Sequence, residues 1–445
     1  MDNELSALNV IFTEAYYWIT VVMMFLIHVG FCMYEVGVSR YKNHQHTLMK
    51  NTLIIPLVTI TFYFFGWWIY FAFPNGPFIT GGLLDASFAS ATAIEMTPNM
   101  SDHIMGVFWA AFLLFSWTAA SIVSGAVIER IRTGAFLILA VLIGSCMWII
   151  DAAWGWHPNG WMVQLLGYHD AYASGVIHAI AGGFALGILV VLGARIGKFN
   201  KDGSANTIIP RSPWLVTVGI FLIYTGFWGF YAACNVPIYN AGADYGGGAD
   251  LFTATNIYLQ PTTLSGITIN FLMSLSGGML IGYLVSKGDS FWTYSLGLAG
   301  IIGASCGNDV YHPYQAMIIG GVVAYCAYHL HHWVENKYKI DDAVGAVAVH
   351  GYAGVVGLLI SGFVLWGMPA TPYGDAVVTP WGQAIGAFIM FFVLGFLPAW
   401  IGAKILNSMG MLRVPREAEL AGLDILEMES RSNDQATFIK AERGA

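Results

Sequence analysis

Charge is the scarcest resource in this sequence. Only 10% of its 445 residues are Asp, Glu, Lys or Arg, while 57% are hydrophobic; a soluble domain carries about 25% charged residues. That balance excludes an ordinary water-exposed globular domain and implies many membrane spans in place of a single anchor. Cysteine is equally sparse: Cys32, Cys146, Cys234, Cys306 and Cys326 are scattered without C-x-x-C or finger spacing. They form neither a disulfide frame nor a metal cluster, and read as small packing residues. No G-x-S-x-G, H-E-x-x-H or P-loop pattern occurs, so the sequence shows no nucleophile elbow, zinc pair or phosphate cradle. An enzyme, a cofactor, a metal and a nucleic-acid partner are all unexpected. Met1–Leu5 lack the basic stretch that opens a cleavable signal peptide.

Basic residues are missing from half of the connections as well. Apolar segments of spanning length lie near 15–38, 50–73, 103–128, 134–154, 172–194, 214–234, 262–286, 291–306, 315–333, 343–366 and 381–406. If the chain crosses at each, all 18 Lys and Arg residues, from Arg40 to the tail, fall on one face. The opposite connections and the N-terminus have none. The positive-inside rule makes the basic face cytoplasmic, with the N-terminus outside.

Within these runs two stretches echo each other. Asp170 to Gly182 and Asp342 to Gly354 each place an Asp, a His eight residues later (His178, His350), and Ala-Gly three and four residues after that. At 1.5 Å per residue each His sits about 12 Å inside the end marked by its Asp, near the middle of a hydrocarbon core about 30 Å thick. An ionisable group there is costly and points to function. Spans 1–5 and 6–10 form two sets of five, so the second runs with opposite polarity. Such an inverted repeat brings equivalent residues together at the midplane. Desolvation favours neutral imidazoles. One ring then donates to the other, leaving one outward acceptor and one outward N–H, a pair suited to a small, neutral, hydrogen-bonding solute.

Other features admit a plain structural reading beside the functional one. Asp170 and Asp342 stand where a helix N-cap is needed, and a carboxylate there also favours a nearby cation. Phe108, Phe112 and Phe115 share a helical face, and Phe227, Trp228 and Phe230 close span 6 before Cys234. Both clusters suit either packing or a cation–π face with an apolar plug. His329, His331 and His332 follow span 9 without an accompanying carboxylate or Cys cluster, and read as a solvated cytoplasmic face.

Taken together, these residues resemble the ammonium transporter family, the Amt/Rh group, over nearly the whole chain. The resemblance rests on Tyr34-x-x-Gly37 with Arg40-x-Lys42-Asn43, Gly125-Ala-x-x-Glu129-Arg130-Ile131-Arg132, Trp154-Gly155 and both Asp–His stretches. Arg195-Ile-Gly197, Gly226-Phe-Trp-Gly-Phe230 and the tail Leu412-Arg-Val-Pro415 with Glu417, Glu419 and Gly422-Leu-Asp424 complete it. It implies an all-α polytopic membrane protein of eleven transmembrane helices, two inverted five-helix repeats plus one extra helix, assembled as a homotrimer in the plasma (cell inner) membrane. The membrane domain would cover 1–406, with repeats at about 15–194 and 214–366 and the extra helix at 381–406. A cytoplasmic tail would occupy 407–445. The twin histidines His178 and His350 would line the path, and Phe115 and Phe230 would gate it. Trp154, Phe112 and Cys234, supported by Asp170, would form an outer ammonium site, with Asp342 as the repeat-equivalent acid. Ammonium would shed a proton and cross as ammonia.

The chain departs from the family pattern at Ala111, Cys234 and Tyr231, where a second Phe, a Ser and an Asn are common. Its tail departs again at Met428-Glu-Ser-Arg-Ser-Asn-Asp434. These departures motivate an alternative, an ammonium sensor of the same fold that signals through its tail with little or no transport. The tail's partner would be a PII-type regulator or a fused signalling domain.

Overall fold

The computed structural model describes residues 2–74, 76, 103–157, 159–237, 254–372 and 374–424. Eleven long helices account for most of them: α1 (Asp2–Val38), α2 (Tyr41–Ala72), α3 (His103–Ala126), α4 (Thr133–Gly155), α5 (Ser174–Leu192) and α6 (Pro213–Ala233). Then follow α7 (Leu264–Val285), α8 (Ser290–Ala304), α9 (Pro313–Tyr338), α10 (Val347–Val364) and α11 (Pro380–Ser408). Each coincides with one of the apolar segments read from the sequence. Nine of the described helices are individually long and apolar enough to cross a bilayer. The other two are α8, with 15 residues or about 22 Å of rise, and α9, whose last turns carry His329, His331, His332, Glu335 and Lys337.

The helix starts follow ordinary capping chemistry. Thr263, Asp289 and Thr379 accept the backbone N–H of Gly266, Trp292 and Gly382 at 3.1, 2.8 and 3.0 Å. Pro213, Pro313 and Pro380 occupy first turns, where a missing N–H costs nothing. Three short antiparallel strands, Asn235–Pro237, Ala254–Asn256 and Pro261–Thr262, follow α6. They were invisible in the sequence because each is only two or three residues long.

Five helices contain a wide, π-type turn in which the backbone hydrogen bond skips one residue further. Two of these turns open α5 (Ser174–Ala179) and α10 (Val347–Tyr352), and they carry His178 and His350. Both are entered through a left-handed residue three positions after the Asp, Ala173 and Gly345, each at φ 71°. The two stretches therefore share local geometry as well as spelling.

The α5 and α10 backbones touch just beyond the histidines. A methyl group built on Gly182 would collide with the Cα and N of Gly351, so no larger residue fits this crossing without separating the helices. Gly182→Ala is expected to lower stability by roughly 2–3 kcal/mol through overpacking, read as a fall in the detergent-solubilised melting temperature. An unchanged melting temperature would contradict the close crossing.

Past α11 the tail folds back over the basic face. Leu412 accepts the N–H of Arg132 at 3.0 Å, Val414 donates to the Arg130 carbonyl at 3.0 Å, and a short helix spans Arg416–Ala421. Asp424 accepts the N–H groups of Gln45 and His46 at 2.9 Å each, beside the start of α2. The Met428–Asp434 segment lies outside the described residues.

Candidate functional site

The Asp residues set the site's frame. The Asp170 carboxylate accepts the N–H groups of Ser174, Gly175 and Val176 at 2.6, 2.7 and 2.9 Å, and the Tyr168 hydroxyl at 3.1 Å. Its main chain is held as well: the carbonyl accepts Trp156 Nε1–H at 2.7 Å, and the N–H donates to the Tyr258 hydroxyl at 2.9 Å. Asp342 repeats the cap, accepting from Ala346, Val347 and Ala348 at 2.9, 2.8 and 3.4 Å. Asp170 is fully buried with its oxygens occupied, so it anchors the α5 turn and does not present a free carboxylate. Each cap fixes the first turn, and hence the direction of the His four residues further on.

The two imidazoles meet. His178 Nδ1 and His350 Nδ1 lie 3.1 Å apart and the rings are stacked at 5.1 Å. Both are almost wholly buried, and His178 Nε2 has no protein partner. An Nδ1–Nδ1 hydrogen bond requires complementary tautomers, one ring donating and the other accepting. The outward nitrogens are then one lone pair and one N–H, and a proton passing through exchanges the two.

An aromatic column leads up to the pair. Phe115 meets Phe230 edge-on with centroids 4.8 Å apart, and Phe230 stacks on His178 at 5.5 Å. Phe227 lies on the same imidazole at 5.7 Å, and Phe31 closes the far side against His350 at 6.1 Å. Both Phe115 and Phe230 are fully buried. The site residues expected from the sequence are brought together here: Phe115, Phe230, His178 and His350 form one continuous file.

The outer residues are distributed differently from the expectation. Phe112 lies behind Phe115 at 5.9 Å, within a cluster with Trp67, Tyr70 and Phe108. Trp154 packs on Trp161 at 5.6 Å. The tryptophans beside Phe115 are Trp156 at 5.2 Å and Trp148 at 6.3 Å, which sequence reading did not single out. Cys234 is fully buried at the end of α6. Tyr231 stacks on Tyr172 at 4.2 Å and its hydroxyl bonds Ser305 at 2.6 Å.

On the basic face, Asp341 binds Arg195 through Nε and a terminal nitrogen at 2.8 and 2.9 Å, and Arg130 donates to its carbonyl at 2.6 Å. Burial would raise the Asp341 carboxyl, but Arg130 and Arg195 hold it well below the usual range. Asp342 has no Arg or Lys ion pair among the described residues, and burial lifts it to about 7 despite the hydrogen bonds at its cap. Glu129 accepts the N–H and Nε–H of Arg40 at 2.7 and 2.8 Å. The reading of His331 as solvated needs correction, because tertiary packing against Trp292 buries it. Glu335 also supplies the carboxylate thought missing, and with His331 and His332 it could hold a metal ion. That carboxylate is already paired with Lys198 at 2.5 Å.

An all-helical multi-pass membrane protein with paired histidines at its centre is the class this geometry defines. The family model described as Ammonium Transporter Family matches residues 15–432, and the chain belongs to that family, whose members are transporters and not enzymes. It is similar to "Ammonium transporter Amt2" of Archaeoglobus fulgidus, at 28% identity over 91% of this chain and 84% of the relative. It is likewise similar to "Ammonium transporter Amt1" of Methanocaldococcus jannaschii, at 28% identity over 90% and 92%. Among solved structures, a "Sensor Amt Protein" superposes with a TM-score of 0.78 at 24% identity, covering 96% of this chain and all of that one. Candida albicans Mep2 gives 0.70 at 18% identity over 91% and 86%. At those identities the structural matches speak to the fold.

Proposed function

We propose that this chain carries ammonium across the plasma membrane by separating it into ammonia and a proton, with the basic face cytoplasmic and the N-terminus outside. The observation that carries the reading is the 3.1 Å Nδ1–Nδ1 contact between His178 and His350, sealed behind the Phe115–Phe230 pair. A bare cation in such surroundings costs several kcal/mol or more. Potassium resembles ammonium in size but has no proton to give up, so the same apolar path that admits ammonia excludes it. Outside the gate, Phe112, Trp148 and Trp156 form a buried aromatic cluster around Phe115 that would offer ring faces to a cation once the gate opens, and Asp170 acts on it indirectly, by positioning α5 and Trp156. Assembly as a homotrimer belongs to the same proposal. So does a tail open to a PII-type regulator or a fused signalling domain.

Ammonium-driven uptake into proteoliposomes tests the reading; binding without uptake would instead mark a receptor. For the gate, Phe230→Ala is expected to reduce the preference for ammonium over potassium by about tenfold, equivalent to some 1.4 kcal/mol of lost exclusion. Paired potassium and ammonium flux assays read it. Unchanged flux and selectivity would mean that Phe230 only packs.

A further inference from the structure

The inner side of the histidine pair holds a carboxylate that the proposed mechanism has not yet used. Glu35, near the end of α1, is fully buried. Its Oε2 accepts Asn51 Nδ2–H and the Ser124 hydroxyl, each at 2.8 Å, while Oε1 has no hydrogen-bond partner. Lys50 of α2, also fully buried, reaches the same knot by donating to Ser124 O at 3.1 Å. A cavity of ≈ 20 Å³ joins Glu35 to His350, lined otherwise by Tyr34, Ser121, Ser295 and apolar side chains. That is room for about one water-sized molecule.

Buried carboxylates are expensive, and one with an idle oxygen more so. Lys50 offsets the charge and Asn51 with Ser124 fixes one oxygen, which leaves the second as a lone acceptor. The groups able to titrate or carry charge around it are Lys50, Tyr34, Cys32 and His350. Of these Tyr34 is already bonded to Ser295 at 2.7 Å.

We propose that Glu35 is the proton station on the inner side of the histidine pair, where ammonia recovers the proton it left outside; this rests on the transport reading above. The balance is complete. An ammonium N–H breaks outside and its proton enters the His178–His350 pair. The pair passes a proton inward, forming an O–H on Glu35. Ammonia arriving through the path takes that proton, so the O–H breaks, an N–H forms, and ammonium leaves with the carboxylate restored. One ammonium and one positive charge cross, and no other reactant is consumed.

The test measures current and luminal pH together in proteoliposomes after an ammonium jump, for wild type, Glu35→Gln, Glu35→Asp and Glu35→Gln/Lys50→Met. Glu35→Gln should lose at least tenfold in current while ammonia still enters, now seen as luminal alkalinisation. Glu35→Asp should recover part of the current. The double variant removes both buried charges together, and should keep the wild-type melting temperature yet conduct no better than Glu35→Gln. Wild-type current in folded Glu35→Gln would overturn the assignment. So would equal loss in Glu35→Asp and Glu35→Gln, or loss of current and ammonia entry together, either of which marks a packing role. A wild-type protein that moves neither charge nor ammonia would instead remove the transport reading itself.

Discussion

Replacing His178 with alanine is expected to cut the ammonium-driven current by about 100-fold or more, the scale of losing a positioned proton-transfer group. The ring is half of the hydrogen-bonded His178–His350 pair, and without it His350 has no partner from which to take a proton arriving from outside. Its loss also removes stacking against Phe227, Phe230 and His350. Truncating a buried ring costs roughly 3–5 kcal/mol, and the cap on α5 and the Gly182–Gly351 crossing are untouched. The variant should therefore elute as wild type in size exclusion and melt somewhat earlier. A folded variant with wild-type current would take the pair out of the mechanism.

Asp170 should behave in the opposite way, with folding lost before function. Alanine there strands the N–H groups of Ser174, Gly175 and Val176 in a fully buried place, and leaves the Tyr168 hydroxyl only Met390 Sδ as acceptor. Each unmet donor costs about 1–3 kcal/mol, so the loss approaches the whole stability of many domains, about 5–15 kcal/mol. Asp170→Ala is expected to give little folded protein. Asp170→Asn, which keeps one acceptor oxygen, should fold with a lowered melting temperature. If Asp170 instead served chiefly to bind the cation, Asp170→Ala would fold normally and lose only affinity, as an ammonium titration of the purified variant would show.

The features legible in the sequence were those written twice or spaced regularly. The Asp–His echo marked the contact between two residues 172 positions apart, because a midplane His has no bland reason to recur. The capping role of both Asp residues was open to view as an alternative, since a carboxylate at a helix start has that chemistry anyway. The π-type turns were not legible: a one-residue shift in hydrogen bonding leaves no trace in a run that is apolar all round. Trp148, Trp154 and Trp156 crowd one helix end, and only the helix rotation and the turn after it decide which of them faces Phe115. His331 is buried by Trp292 from another helix, a contact that local polarity cannot reveal. Glu35 stood unremarked inside Tyr34-x-x-Gly37, its meaning supplied by Asn51 and Ser124 on two other helices.

The most direct test of a conducting histidine pair is the current across a proteoliposome membrane after an ammonium jump, with potassium as control and luminal pH followed in the same sample. A current with ammonium and none with potassium, lost in His178→Ala, is the expected result. Well-folded protein that binds ammonium yet leaves both current and luminal pH flat would contradict conduction and identify a sensor.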